Sequence, residues 1–302
     1  MKPYKPSQIV PAGGLLLLIL SAVVGGALIG GIVSLVSNLI YLILFFPAAM
    51  GLAGGVLVAL AIRRGKIRNP VVGQMGGLLA GLIIYSSMWF GNYLQFQNSV
   101  RSEILARSPG AAVAEVDAFV DQFIKNQTGV SGFSGYILLV DQDGVSIGRV
   151  GRSNSVNLGP TFSWVYWGAE LFIILALSIS PAGRYARQPF CEACGRWYGT
   201  PALVGTLGAS RSKELQAWVE GGQFQKLGEE LQTNPALPNV GVFLATCGEG
   251  CADGETYLAV RLQSRNSKGA PDFKELQSGL ITPPQAQDLR RGIEARKALY
   301  GI

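Results

Sequence analysis

The sequence predicts a mainly α-helical membrane protein with four transmembrane helices, a small α+β outer segment and a C-terminal α+β cytoplasmic domain. Three observations support this class: long stretches without charge, an uneven placement of lysine and arginine, and cysteines confined to the C-terminal part. Charged residues make up 15% of the 302, against roughly 25% in ordinary globular proteins, and 49% are hydrophobic. The mean hydropathy of +0.31 agrees with a chain that lies largely in lipid.

Charge-free stretches predict the transmembrane helices. After Lys5 the next charged residue is Arg63, whereas one helix needs only about 20 apolar residues to cross a bilayer. This first stretch therefore holds two helices, with a turn at Ser37-Asn38 and a kink at Pro47. The four predicted spans cover residues 10–34, 38–62, 71–93 and 161–182.

Positive charge predicts how these helices are oriented, because loops rich in lysine and arginine stay in the cytoplasm. The loop at residues 63–70, after the second span, carries four such residues. With the first three spans in residues 1–93, residues 94–160 then lie outside, and residues 183–302 form a cytoplasmic domain. We therefore expect a bacterial inner-membrane protein, embedded in the lipid bilayer, with both termini in the cytoplasm. This bias accounts for the net charge of +6, so no nucleic acid partner is expected.

Tryptophans mark the outer ends of the predicted spans. Trp89, Trp164 and Trp167 fall close to this edge of the predicted bundle. Amphipathic rings are enriched at the level of the lipid headgroups. We therefore interpret these residues as anchors at the interface between membrane and water.

Glycines recur at four-residue spacing in three of the predicted spans. This spacing places them on one face of a helix, where two backbones can approach closely. We favour packing between helices of the same chain, and a homo-oligomer remains the alternative. The spaced glycines are Gly26 and Gly30, Gly51 and Gly55, and Gly73, Gly77 and Gly81.

Glu170 is the one charged residue in the fourth predicted span. A carboxylate in mid-membrane costs about 2.5–3.5 kcal/mol on insertion scales, so we expect Glu170 to be protonated and to face the bundle interior. Its candidate partners include Gln74 and Asn38. We favour a hydrogen-bonded tie between helices. The alternative is a proton- or cation-handling site in a small oligomeric transporter or channel.

The outer segment predicts one helix and one hairpin. Apolar residues at helical spacing predict a helix over residues 110–126. β-forming residues at 136–140 and 145–150 flank Asp143-Gly144, a dipeptide typical of tight hairpin turns. We therefore expect a small α+β cap on the outer face of the bundle.

All four cysteines lie in the C-terminal domain, as a Cys-x-x-Cys pair at Cys191 and Cys194 and a Cys-x-x-x-Cys pair at Cys247 and Cys251. Four thiolates suit tetrahedral zinc, and a chain without histidine would have to build the site from cysteine alone. The two pairs and their flanks resemble zinc ribbons, and the whole pattern is similar to bacterial multi-pass proteins with a zinc-ribbon tail. We expect one structural zinc with four cysteine ligands, although the long separation of the pairs leaves open whether one metal joins them.

The rest of this domain predicts a small α+β fold. Apolar periodicity and turn residues predict helices over residues 213–232 and 283–299. Strands are predicted over residues 240–245 and 256–262, on either side of the second cysteine pair.

The motifs point away from catalysis. The absence of histidine excludes Ser-His-Asp and Cys-His hydrolases and HExxH peptidases, and no phosphate-binding glycine loop occurs. We therefore expect a non-enzymatic scaffold, accessory or regulatory subunit, whose cytoplasmic domain binds a protein partner. The alternative from the cysteines is a membrane thiol oxidoreductase that uses Cys191 and Cys194.

Overall fold

A computed structural model shows a mostly helical protein in two compact units. The helical unit comprises Gln8–Ala186, and the sheet unit comprises Met1–Ser7 together with Arg187–Ile302. The described residues are 1–37, 44–108, 110, 112–144, 146–148, 155–157, 159–233, 236–248, 251 and 254–300.

The helical unit contains the apolar helices that the sequence predicts. Its helices are α1 (Ala12–Leu20), α2 (Gly26–Ser37), α3 (Phe45–Gly65), α4 (Pro70–Arg107), α5 (Val113–Thr128), α6 (Gly132–Asp143) and α7 (Gly159–Ala186). A π-helical turn, Ser21–Gly25, connects α1 and α2 into one continuous helix. Within the described ranges, four stretches are long and apolar enough to cross a membrane: Ala12–Val36, Phe45–Gly65, Pro70–Arg107 and Gly159–Ala186.

Local sequence explains where these helices begin and end. Asn69 caps α4 by accepting hydrogen bonds from the two amides at Val71 and Val72, at 3.0 and 3.1 Å, and Pro70 occupies the first helical position. Lys66 adopts a left-handed conformation (φ 51°) that closes α3. The sequence-based boundaries differ most at α4, which runs to Arg107 where residue 93 was expected.

The start of α3 corrects the prediction for Pro47. The predicted turn at Asn38 lies outside the described residues, and α3 begins only at Phe45. Pro47 therefore occupies the first turn, where no intrahelical hydrogen bond is lost, rather than kinking the middle of a span. The proline that does lie inside a helix is Pro181, in α7.

The spaced glycines let helix backbones touch. A Cβ atom built on Gly51 of α3 would lie 2.8 Å from the carbonyl oxygen of Ile174 in α7. One built on Gly77 of α4 would lie 2.6 Å from the carbonyl oxygen of Ser178, also in α7. The four-residue spacing therefore serves packing within the chain, as favoured from the sequence.

Pro181 makes a further contact of this kind. A proline nitrogen carries no hydrogen, so the carbonyl of Leu177, four residues earlier, loses its helical donor. Gly55 of α3 lies against this carbonyl, and a Cβ there would be 2.6 Å from the oxygen and 3.0 Å from the ring of Pro181. A glycine is required at this crossing because any side chain would force the two helices apart.

The outer segment corrects the predicted hairpin. Residues 136–140 are helical within α6, not extended, and Gly144 (φ 71°) ends that helix instead of forming a hairpin turn. A short apolar run does not distinguish a strand from a half-buried helix, which explains the error. The described strands here are β1 (Ser146–Gly148) and β2 (Ser155–Asn157), paired antiparallel. The predicted helix over 110–126 is present as α5.

The sheet unit is an antiparallel sheet with helices packed on it. Its elements are β3 (Phe190–Cys191), β4 (Arg196–Trp197), β5 (Ala202–Gly208), α8 (Ser212–Glu220), α9 (Phe224–Glu230), β6 (Asn239–Ala245), β7 (Thr256–Arg265), β8 (Pro271–Ile281) and α10 (Pro283–Tyr300). Among the described residues, the main sheet has the order β5-β6-β7-β8. Leu215, Trp218, Phe224, Leu227 and Leu289 bring the three helices into its core. The predicted helix over 213–232 is thus two helices, α8 and α9, separated at Gly221-Gly222.

The N-terminal residues extend this sheet. The amide of Lys2 donates to the carbonyl of Leu280 at 3.1 Å, and the amide of Leu280 donates back at 2.8 Å. Gly279 leaves room for this approach, since a Cβ there would collide with the carbonyl of Lys2. The chain before the first apolar helix therefore covers the edge of β8, which sequence patterning did not predict.

We expect Gly77→Ala to destabilise the helical unit, because the added methyl group meets backbone atoms of α7 rather than a movable side chain. The expected loss is about 1–3 kcal/mol, typical of overpacking. Gly31→Ala is the matched control, since nothing lies within 4 Å of a Cβ built there. The measurement is the temperature at which protein in mild detergent loses monodisperse elution. Equal midpoints for the two variants would contradict this description of the packing.

Candidate metal centre

Two loops of the sheet unit carry the four cysteines. Cys191 ends β3 and Cys194 lies in the tight connection to β4, where Gly195 has a left-handed conformation (φ 62°). Cys247 and Cys251 follow β6, in the connection to β7. The first pair thus lies in and beside the short hairpin of β3 and β4.

The structure brings all four sulfur atoms together, within 4.8 Å of one another. The Cys191 and Cys251 sulfurs are 3.9 Å apart, and those of Cys194 and Cys247 are 3.3 Å apart. Sulfurs around tetrahedral zinc, at 2.3 Å from the metal, are about 3.8 Å apart. The donor set and the spread of the cluster therefore fit one metal ion shared by both pairs.

One sulfur pair departs from this arrangement. Cys194 and Cys251 lie at disulfide distance, while Cys191 and Cys247 are free and buried. The close pair therefore joins the two loops and is not the Cys191–Cys194 pair that the redox alternative expected. Because a disulfide consumes two of the four thiolates, a metal could use the full set only when this pair is in its reduced, dithiol form.

Burial controls the electrostatics of the cluster. Removal from water raises the pKa of the Cys247 thiol, and the neighbouring Cys191 raises it further, while the charge of Arg196 opposes the shift. Burial and the same two cysteines also raise the pKa of Tyr198, whose hydroxyl donates to the carbonyl of Glu255 at 2.6 Å. A metal ion would reverse this preference for neutral thiols, since it binds thiolates and releases their protons.

Gly254 makes room for the sulfurs of the second loop. A Cβ at this position would lie 2.5 Å from the sulfur of Cys251 and 3.1 Å from that of Cys247. The amide of Gly254 donates to the carbonyl of Cys251 at 3.3 Å, which turns the chain back towards β7. A glycine here was not singled out from the sequence, although it follows the last cysteine by three residues.

Tyr4 supports the first loop from the N-terminal segment. Its hydroxyl donates to the carbonyl of Gln188 at 3.1 Å and accepts from the amide of Phe190 at 3.2 Å. Phe190 directly precedes the first ligand candidate, Cys191. Sequence reasoning missed Tyr4, because no pattern near the N-terminus links it to cysteines so distant in the chain.

The residues of the predicted intramembrane site, unlike the four cysteines, are not brought together. Glu170 is 4% exposed and accepts a hydrogen bond at 2.5 Å from Tyr166, one turn earlier in α7. Gln74 instead packs on Gly183, thirteen residues and about 20 Å further along α7. The structure therefore does not bring Gln74 to Glu170, because α4 and α7 pack side by side and it is Tyr85 of α4 that reaches the level of Trp167 and Glu170. Asn38 lies outside the described residues.

Comparison with known protein families, with curated proteins and with solved structures finds no match to this chain. Function therefore has to be argued from the two sites themselves. Of these, the cysteine cluster has the more specific chemistry, because four soft donors in one place suit zinc or an iron–sulfur centre.

We expect the protein to contain about one zinc per chain, the content of a single four-cysteine site. If both pairs share the metal, Cys191→Ser and Cys251→Ser should each remove all of it, whereas separate pairs would leave part behind. Thr246→Ser is the control, since it changes the same loop without touching a sulfur. Metal analysis and thiol titration of the same sample, purified without chelator, provide the measurement. A zinc-free protein with two free thiols and one disulfide would contradict the prediction.

Proposed function

We propose that this chain is a multi-pass membrane protein that serves as a scaffold, accessory or regulatory subunit through a zinc-stabilised cytoplasmic domain. The cysteine cluster is the observation that carries the proposal. Four sulfur donors within 4.8 Å of one another would fill every position around a tetrahedral ion. Such an ion has no open position for water or substrate, so its contribution is to folding rather than to catalysis.

The position of the N-terminal segment supports a cytoplasmic location for both ends of the chain. Met1–Ser7 and the residues after Arg187 belong to one compact unit, and the four apolar helices lie between them in sequence. If all four cross the bilayer, an even number of crossings returns the chain to the side where it began. The basic residues at 63–70 favour the cytoplasm for that side.

A cavity next to the cluster supports the proposed binding of a partner. A cavity of about 600 Å³ is lined by Cys247 and Cys251 together with Glu255, Gln287 and Arg290. An acidic, a basic and an amide side chain suit recognition of a polar protein segment, because together they can donate and accept its hydrogen bonds. Because two of the lining residues are ligand candidates, loss of the metal would also change this surface.

The close Cys194–Cys251 pair favours a second candidate function, thiol–disulfide exchange. Cys251 is partly exposed, as an exchanging thiol must be, whereas Cys191 and Cys247 are buried. A cytoplasmic location would oppose this function, since the cytosol keeps most thiols reduced.

The proposed topology predicts that tags at the N-terminus and C-terminus are protected in intact spheroplasts, while a tag after Gly129 is accessible. Gly129 lies between α5 and α6, with nothing within 4 Å of a Cβ built there, so an insertion is expected to be tolerated. Opposite accessibility of the two termini would contradict an even number of crossings.

The proposed scaffold role predicts a partner that depends on the metal. A protein should co-purify in stoichiometric amount with the tagged chain from native membranes in mild detergent. This partner should be lost from the double variant Cys191→Ser/Cys247→Ser. The purified variant should still elute at the position of the wild-type protein. Thr246→Ser controls for changes in the loop. The absence of any stoichiometric partner from the wild-type sample would contradict the scaffold role.

A further inference from the structure

The helical unit contains an aromatic cavity that the proposed function does not use. Its volume is about 360 Å³, and it lies where α4, α6 and α7 meet. Among the described residues that line it there is no lysine, arginine or carboxylate. The lining residues that matter below are Tyr85, Trp89, Phe133, Trp164, Trp167 and Gly168.

The aromatic rings are held in fixed positions. Trp167 makes edge-to-face contacts with Trp89 and Trp164, with ring centroids 4.9 and 5.1 Å apart. Trp89 also contacts Tyr85 at 6.3 Å, and the Tyr85 hydroxyl donates to the carbonyl of Trp167 at 3.2 Å. The cavity wall is therefore preorganised, which lowers the entropy cost of binding a ligand. Anchoring at a membrane interface does not require three tryptophans to pack on one another.

A buried carboxyl group lies behind this wall. Glu170 follows Trp167 by three residues in α7, so the two side chains occupy neighbouring positions on the helix. Glu170 is 4% exposed and interacts electrostatically with Tyr85, which lines the cavity. The faces of aromatic rings carry partial negative charge, and a cation held against them would favour the ionised form of the Glu170 carboxyl group, which then adds to the attraction.

We propose that this cavity binds a lipophilic organic cation, of the quaternary ammonium or phosphonium class. Aromatic faces attract such cations, and the attraction grows when water is excluded. A metal ion or a hydrated ammonium would lose far more hydration energy on entering, which excludes small inorganic cations. An anion would meet the negative ring faces, and a neutral lipid would gain nothing from Glu170.

Gly168 gives the cavity part of its space. It is exposed in the cavity, and nothing lies within 4 Å of a Cβ built on it. Gly168→Leu should therefore fill the cavity without displacing the helices. This variant separates ligand binding from the packing of α7, which depends on residues further along the helix.

The test measures binding to the full chain in nanodiscs by equilibrium dialysis, with empty nanodiscs as background. Tetraphenylphosphonium is the cationic probe, and triphenylphosphine oxide is its neutral counterpart. We expect the cation to bind saturably and at least tenfold more tightly than the neutral probe, since 1.4 kcal/mol corresponds to a factor of about ten. Glu170→Gln should weaken cation binding alone, and Gly168→Leu should abolish binding of both probes.

Two sources of the cation are distinguished by the lipid. If a choline headgroup occupies the cavity, tetraphenylphosphonium should bind more weakly in phosphatidylcholine than in phosphatidylethanolamine. Equal binding in both lipids assigns the cavity to a free lipophilic cation. Equal affinity for the two probes, or wild-type cation binding by Gly168→Leu, would overturn the proposal. Gly168→Leu should keep the thermal stability of the wild type. An unchanged elution profile would show that the variant is folded, so that any loss of binding reflects the filled cavity.

Discussion

Backbone-to-backbone contact with α7 is the constraint on which the helical unit depends. Gly51 and Gly77 bring α3 and α4 onto carbonyl groups of the same helix, so the separation of these helices is set by main-chain atoms. At these crossings the attraction comes from dispersion and from weak Cα–H···O contacts, both of which fall off steeply with distance. A glycine stripe thus fixes the position of α7 more strictly than a layer of leucines would, because leucines can change rotamer to fill a gap.

The fixed position of α7 determines where its functional side chains lie. The glycine contacts involve the half of the helix from Ile174 to Pro181, while Glu170 and Trp167 lie in the preceding turns. One half therefore holds the bundle together, and the other half is left to form a cavity with α4 and α6. This division explains how a buried carboxyl group is placed next to aromatic rings. The free-energy cost of burying that group is offset by the packing of the other half of the same helix.

The sequence predicts the features that depend on composition and misses those that depend on distant contacts. Four apolar helices follow from charge-free stretches, and glycine spacing indicates their packing faces. The run at 136–140 is assigned to the wrong element because its apolar residues suit a strand and a half-buried helix equally. Tyr4 could not be placed at all, since its partners at Gln188 and Phe190 are defined only by the folded chain. The cysteine pairs were recognisable from spacing, and the expected four-cysteine cluster is present, although spacing alone left open whether the two pairs meet.

The convergence of the cysteines is better explained by a metal than by a disulfide alone. A single disulfide between Cys194 and Cys251 would need only two cysteines and would leave Cys191 and Cys247 as buried thiols. Burial raises the pKa of Cys247, so this thiol is a poor nucleophile. The metal ion that we propose would use all four sulfurs, and Gly254 leaves space beside two of them.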